Sequence, residues 1–260
     1  MIKKELLSYL EEHYPCSAAE GWDNVGLLVG DAEGEIHHVF LALDLTEPVL
    51  AEAIACGADF ILTHHPMIFS GVKRINHKTF EGRKILSLIR NGITYYAMHT
   101  NYDVLGMAHI SSERMGLKEV QPLEATYEDG EDVQGIGSVG TLPEKMTLRA
   151  CAELVKKAFD LPEVRVFGNL DKEVVRAAMC TGSGKSMIKN ALGMGAEVYI
   201  TGDIDHHSGI DAVADGLCII DAGHYGTEYM FMEEMEKELA AAFPELKLTC
   251  AGIKFPYTMI

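Results

Sequence analysis

A short pattern occurs twice in this chain and dictates the order of its elements. Gly57-Ala58-Asp59-Phe60-Ile61-Leu62-Thr63 reads as a glycine turn and a buried strand closing on Thr, and Gly195-Ala196-Glu197-Val198-Tyr199-Ile200-Thr201 repeats it. Around each copy the same succession recurs: strand, helix, strand ending in Thr, helix, strand ending near His. A unit carried twice in this order predicts two duplicated α/β halves of similar topology.

The hydrophobic periods fill in the elements. Lys4 to Tyr14 reads as a helix with Leu6, Leu7 and Leu10 on one face. His38 to Asp44 reads as a strand, Glu47 to Cys56 as a helix opened by the cap Thr46 with Pro48 in its first turn, and Asp59 to Thr63 as a second strand. Glu81 to Asn91 follows as a helix and Thr94 to Met98 as a buried strand. In the second half Thr147 to Phe159 reads as an amphipathic helix and Val164 to Phe167 as a strand, and strand, glycine turn, helix and strand follow from Val174. Short apolar strands alternating with helices argue for mostly parallel sheets. The polar segment Tyr127 to Gln134 reads as a loop before a glycine-rich strand, Ile136 to Leu142, and is the natural boundary. The expected halves are residues 1–125 and 126–260, interlocking where they meet, with a metal site between them at the C-terminal ends of the strands.

Charge and cysteine usage narrow the functional class. Twenty-two Lys and Arg against 39 Asp and Glu leave a net charge of −17 over 260 residues. A surface this acidic disfavours nucleic acid and anionic membrane as partners. The six cysteines form no C-x-x-C pair, the pattern of reduced structural thiols. The N-terminus is an amphipathic charged segment rather than a basic cap followed by an apolar run, and no run of about 18 apolar residues occurs. A cytoplasmic location is the expectation.

Chemistry is expected where loops gather at the C-terminal ends of strands. Thr63-His64-His65-Pro66 ends one strand, and Pro66 forces an extended turn in which both imidazoles can reach one site. Alone, the pair also suits a hydrogen-bonded strand end. His99-Thr100-Asn101-Tyr102-Asp103 adds an imidazole and a carboxylate after the next strand, though either could be a turn former. In Asp221-Ala222-Gly223-His224-Tyr225-Gly226-Thr227-Glu228, His224 and Glu228 are one helical turn apart, a spacing that also suits a cap with a first-turn acid. Thr201-Gly202-Asp203-Ile204-Asp205-His206-His207 supplies further N and O donors at the matching strand end. Imidazole and carboxylate without thiolate suit a hydrolytic Zn, Fe, Mn or Ni site rather than a structural zinc. The donors exceed what one ion needs, so two ions about 3.5–4 Å apart, bridged by a carboxylate and a water, would account for them and generate hydroxide at neutral pH. Thr181-Gly182-Ser183-Gly184-Lys185-Ser186 resembles the end of a phosphate-binding loop, but Met179 stands where that motif requires Gly, and a glycine turn before a helix is the expectation.

The WDNVGLLVG segment from Trp22 to Gly30, THHP, HTNYD, TGDIDHH and DAGHYGTE, in this order along nearly the whole chain, resemble the motifs of the Nif-three-like dinuclear metal centre family. Members are often called GTP cyclohydrolase 1 type 2 homologues, and the length is that of the compact bacterial form. The resemblance implies that His64, His65, Asp103, His224 and Glu228 bind two divalent metal ions, Glu228 bridging. It leaves His99, His206 and His207 as groups that orient ligands or handle protons. It also implies a duplicated α/β fold and a homohexameric ring with the metal sites facing an internal cavity. The function expected is a metal-dependent hydrolase of a small molecule, a purine nucleotide under the cyclohydrolase label, acting through a metal-bridging hydroxide. The alternative is a non-catalytic ring that handles metal or serves as a scaffold.

Overall fold

The computed structural model describes residues 1–130 and 132–258. In chain order the elements are α1 (Lys3–His13), β1 (Gly26–Val29), β2 (His38–Ala42), α2 (Glu47–Ala55), β3 (Phe60–Thr63), α3 (Phe80–Asn91), β4 (Thr94–Ala97) and α4 (Thr100–Tyr102). A π-helical turn (Asp103–Met107), α5 (Ala108–Arg114), β5 (Lys118–Asp129), β6 (Asp132–Thr147), α6 (Leu148–Ala158), β7 (Arg165–Phe167) and β8 (Glu173–Ser183) follow. The remainder comprises α7 (Ile188–Gly193), β9 (Val198–Gly202), α8 (His206–Ala214), β10 (Cys218–Asp221), α9 (His224–Glu228), α10 (Met230–Ala242) and β11 (Lys247–Cys250). Two compact units divide them: Met1–Tyr102 with Tyr229–Lys254, and Asp103–Glu228 with Phe255–Ile260.

The first unit is built on a five-stranded sheet in the order β1-β4-β3-β2-β11. β4, β3, β2 and β11 run parallel, and β1 pairs antiparallel with β4. β2, β3 and β4 are buried at every position, which explains why they read as continuous apolar runs instead of alternating ones. The connecting helices begin where the chain supplies caps. Thr46 Oγ1 accepts from the Val49 amide at 3.3 Å and Thr79 Oγ1 from the Gly82 amide at 3.1 Å. α3 stops at Gly92, whose φ of 65° is left-handed. Leu6 and Leu10 of α1 are fully buried, each contributing roughly 1.5–3 kcal/mol of apolar burial.

The second unit holds a six-stranded sheet, β5-β6-β8-β9-β10-β7, in which β8, β9 and β10 are parallel and the other pairings are antiparallel. The duplication is visible in the strand order. β1-β4-β3-β2 in one sheet corresponds to β7-β10-β9-β8 in the other, each a parallel triple with an antiparallel edge strand beside its third member. Thr63 ends the central strand of its triple, and Thr201 is the next-to-last residue of its own, β9. The core of this unit gathers Leu123, Val139, Ala178, Tyr199, Leu217 and Ile219, all buried.

The segment Tyr127 to Gln134 is not the loop expected from its composition. β5 and β6 form a long hairpin whose pairing continues outward through Tyr127 opposite Gln134 to Asp129 opposite Asp132; Glu131 lies outside the described residues. Most of β5 is exposed, so its ladder is specified by backbone pairing and leaves no apolar alternation in the sequence. No helix of the described residues is long and apolar enough to cross a membrane.

Candidate metal centre

In the first unit three imidazoles converge at the C-terminal ends of β3 and β4. His64 and His65 follow β3 directly, and His99 follows β4 by two residues. Their ring centroids lie 5.0, 5.3 and 5.6 Å apart, and one ring nitrogen from each falls within 4.8 Å of the others. His64 is fully buried, and its ring packs on Phe231, 5.3 Å between centroids.

The hydrogen bonds of these rings decide which nitrogen faces the cluster. Nδ1 of His64 is 2.9 Å from the Met98 carbonyl, Nδ1 of His65 is 2.9 Å from Asp44 Oδ1, and Nδ1 of His99 is 3.0 Å from Asp23 Oδ1. Carbonyl and carboxylate oxygens accept, so each Nδ1 carries the hydrogen and donates, and each Nε2 presents a lone pair. Imidazoles held by an oxygen acceptor on the far nitrogen are how proteins orient histidines around a divalent ion. Asp23 is built for this task. Burial alone would raise its pKa, but hydrogen bonds from His99 and from the hydroxyl and amide of Thr100 outweigh that and hold it at about 2. It is therefore anionic throughout the neutral range.

In the second unit His224 and Glu228 lie on one turn of α9, Nε2 to Oε2 at 3.0 Å, while Nδ1 of His224 is 2.8 Å from Asp203 Oδ2. With Nδ1 donating to Asp203, the Nε2 lone pair and the Glu228 oxygen repel unless a proton or a cation stands between them, and a divalent ion satisfies both. Asp203 reaches His224 from a left-handed backbone, φ 57°, a conformation that Asp tolerates better than most residues. Asp221, almost wholly buried, braces the two loops concerned. It accepts from the Gly223 and Ile204 amides at 3.0 Å each and is paired with Arg165.

Glycines leave room for Glu228. Gly182, at φ +64°, lies so close that a Cβ would overlap Glu228 Oε1, and a Cβ at Gly202 would come 2.6 Å from the His224 amide nitrogen. The Thr181 to Ser186 segment is accordingly the glycine turn expected from the sequence: Gly184 accepts from the Tyr199 hydroxyl at 2.8 Å, and Lys185 Nζ pairs with Asp205 at 2.6 Å. Asp103 opens the π-helical turn and is half-buried. Burial first, then the charges of Asp103 and Glu228, push the Cys180 thiol up to about 12, so this cysteine stays neutral. All six cysteines are free. His206 and His207 open α8 on the surface, their rings edge to face at 5.2 Å, and belong to none of the three-donor groups among the described residues.

Sequence reasoning reached the imidazoles but missed Asp23 and Asp44 as their partners. Asp44 could have been found as the acid just beyond β2, and Asp23 as the only acid within the WDNVGLLVG segment.

The sequence profile described as Duf34/NIF3 (NGG1p interacting factor 3) matches residues 1–256. A Clostridium perfringens protein called GTP cyclohydrolase 1 type 2 homolog is 36% identical over 241 residues, 92% of this chain and 91% of its own. Among solved structures, a Bacillus cereus protein related to NIF3 superposes with a TM-score of 0.91 at 26% identity, covering 100% of this chain and 99% of that one. A hypothetical protein of Staphylococcus aureus gives 0.90 at 31% identity with the same coverage.

Proposed function

This chain belongs to the Duf34/NIF3 family, and from that premise we propose that it is a cytoplasmic, divalent-metal-dependent hydrolase of a small molecule. Purine nucleotides are the first class to test, because relatives carry the name GTP cyclohydrolase 1 type 2 homolog. His64, His65, Asp103, His224 and Glu228 hold two divalent ions of Zn, Fe, Mn or Ni, and the chain assembles as a homohexameric ring. The observation that supports the metal site is the shared orientation of the three proposed imidazole ligands, His64, His65 and His224, each with Nδ1 on an oxygen acceptor.

Bound divalent ions supply Lewis acidity and a water activated at neutral pH. The chain's own residues orient and exchange protons. Asp44, the Met98 carbonyl and Asp203 fix the tautomers of His65, His64 and His224. His99 takes up or releases a proton at Nε2, and Asp23, anionic on the opposite nitrogen, stabilises the imidazolium that results. His206 and His207 serve proton transfer from the surface.

The test is elemental analysis of protein purified without chelator, followed by hydrolysis assays of each reconstituted metal form on nucleotides and phosphoesters. About two equivalents per chain with metal-dependent turnover is the expected result. His64→Ala and Glu228→Ala should each lose metal while remaining folded, and the His206→Ala/His207→Ala double variant should keep its metal and lose turnover. Full metal content in both His64→Ala and Glu228→Ala would refute the ligand assignment. About two equivalents with no turnover would replace the hydrolase by a metal-handling or scaffolding protein.

A further inference from the structure

The loop between β3 and α3 walls a cavity of about 790 Å³ beside His65. A cavity of this size accommodates a ligand of nucleotide dimensions. Phe69 lines it, and Trp22 stands against Phe69 with ring centroids 5.7 Å apart and planes tilted by 43°. Both side chains are more than half exposed, so their apolar faces are available for contact. The pair is held in place from behind: Asn24 Nδ2 donates to the Ile68 carbonyl at 2.5 Å, joining the loop of Trp22 to that of Phe69. Both rings meet His99 edge to face, at 6.0 and 6.3 Å.

The charge of the same wall is unusual for this chain. Lys73 and Arg74 line the cavity and, among the described residues, form no ion pair. In a protein with 39 acids and 22 bases, adjacent cations without an acidic partner stand against the composition. Lys84, also in the wall and only 6% exposed, donates from Nζ to the Leu45 carbonyl at 2.8 Å, which uses one of its three hydrogens. Two of the acids in the wall are already engaged. Asp44 accepts from His65, and Glu47 holds Arg83 through both oxygens at 2.6 and 3.2 Å. A hydrogen bond from His65 leaves the charge of Asp44 in place, so with Glu47 paired to Arg83 the wall sets Asp44 and Glu81 against Lys73, Arg74 and Lys84, two negative charges against three positive.

We propose that this cavity binds a planar aromatic ring that carries a phosphate, the ring lying on the Trp22–Phe69 shelf and the phosphate held by Lys73 and Arg74. Stacking and charge then act on different parts of one ligand, and the buried Lys84 ammonium adds to the positive potential. The assignment rests on the proposed function only in taking this ligand as the substrate; binding itself is separable from turnover.

Trp22 is the chain's single tryptophan, so its emission reports on the shelf directly. Guanosine 5′-monophosphate titrated into metal-loaded protein, with metal assayed on the same sample, is expected to quench Trp22 saturably. Calorimetry is expected to show Kd rising about tenfold in Lys73→Ala/Arg74→Ala and in Trp22→Leu. Guanosine and inorganic phosphate, each offering half of the recognition, should bind at least about tenfold more weakly than the nucleotide. Absence of saturable nucleotide binding overturns the proposal, as does phosphate that matches the nucleotide while leaving Trp22 unquenched. Nucleotide binding without turnover refutes the hydrolase reading and leaves this site standing. Turnover of another compound with no nucleotide binding does the reverse.

Discussion

Gly182→Ala isolates the close packing around Glu228. Gly182 has φ +64°, and a Cβ there would overlap Glu228 Oε1 while lying 3.0 Å from its carboxyl carbon and 3.4 Å from His224 Nε2. Gly195 is the natural control, since its φ is +74° and a Cβ would meet nothing within 4 Å. Both substitutions place a side chain on left-handed backbone, at about 1–2 kcal/mol each. Only at Gly182 must a neighbour also move, and Glu228, 3% exposed, has no solvent to swing into. Overpacking of this kind adds about 1–3 kcal/mol. Gly195→Ala should therefore lower Tm by about 2–8 °C and Gly182→Ala by a further 2–12 °C, at about 2–4 °C per kcal/mol. Because Glu228 is the proposed bridging ligand, Gly182→Ala should also lose bound metal, whereas Gly195→Ala should retain it. Calorimetric melting and elemental analysis of the two variants decide the matter. Equal losses of Tm with full metal content in Gly182→Ala would refute the argument that this glycine exists to seat Glu228.

Two further perturbations probe the partners of the site. Asp23 has a folded pKa of about 2 against an unfolded value near 4, so the stability it confers is present above about pH 4 and disappears as pH falls through about 2. Subtracting the unfolding free energy of Asp23→Asn from that of the parent should give a difference that falls by about 2 kcal/mol between about pH 5 and pH 2, and parallel curves would show that His99 and Thr100 do not hold the charge. Lys185→Ala removes an exposed ion pair with Asp205 and should leave metal content and nucleotide affinity unchanged; loss of nucleotide binding in that variant would reinstate a phosphate site at the Thr181 to Ser186 turn.

Local physics made much of this molecule legible in one dimension. Thr46 could be read as a helix cap because capping needs a hydroxyl within three residues of the amide it serves, and its hydroxyl makes that bond. β2, β3, β4, β9 and β10 could be read as strands because burial on both faces demands an unbroken apolar run. His64, His65, His99 and His224 could be placed at a site because each follows a strand whose end was recognisable. The tertiary structure alone decided what depends on pairing between distant segments. β11 returns to lie parallel to β2, Leu248 beside Val39, in the sheet of the first unit, and the exposed outer end of the β5–β6 hairpin takes its register from backbone pairing that any polar side chain would permit. The tautomers of the histidines were decided in the same way. An imidazole's sequence neighbours do not reveal which oxygen will meet its Nδ1, and Asp23 and Asp44 come to His99 and His65 from 76 and 21 residues away, brought there only by the folding of the sheet.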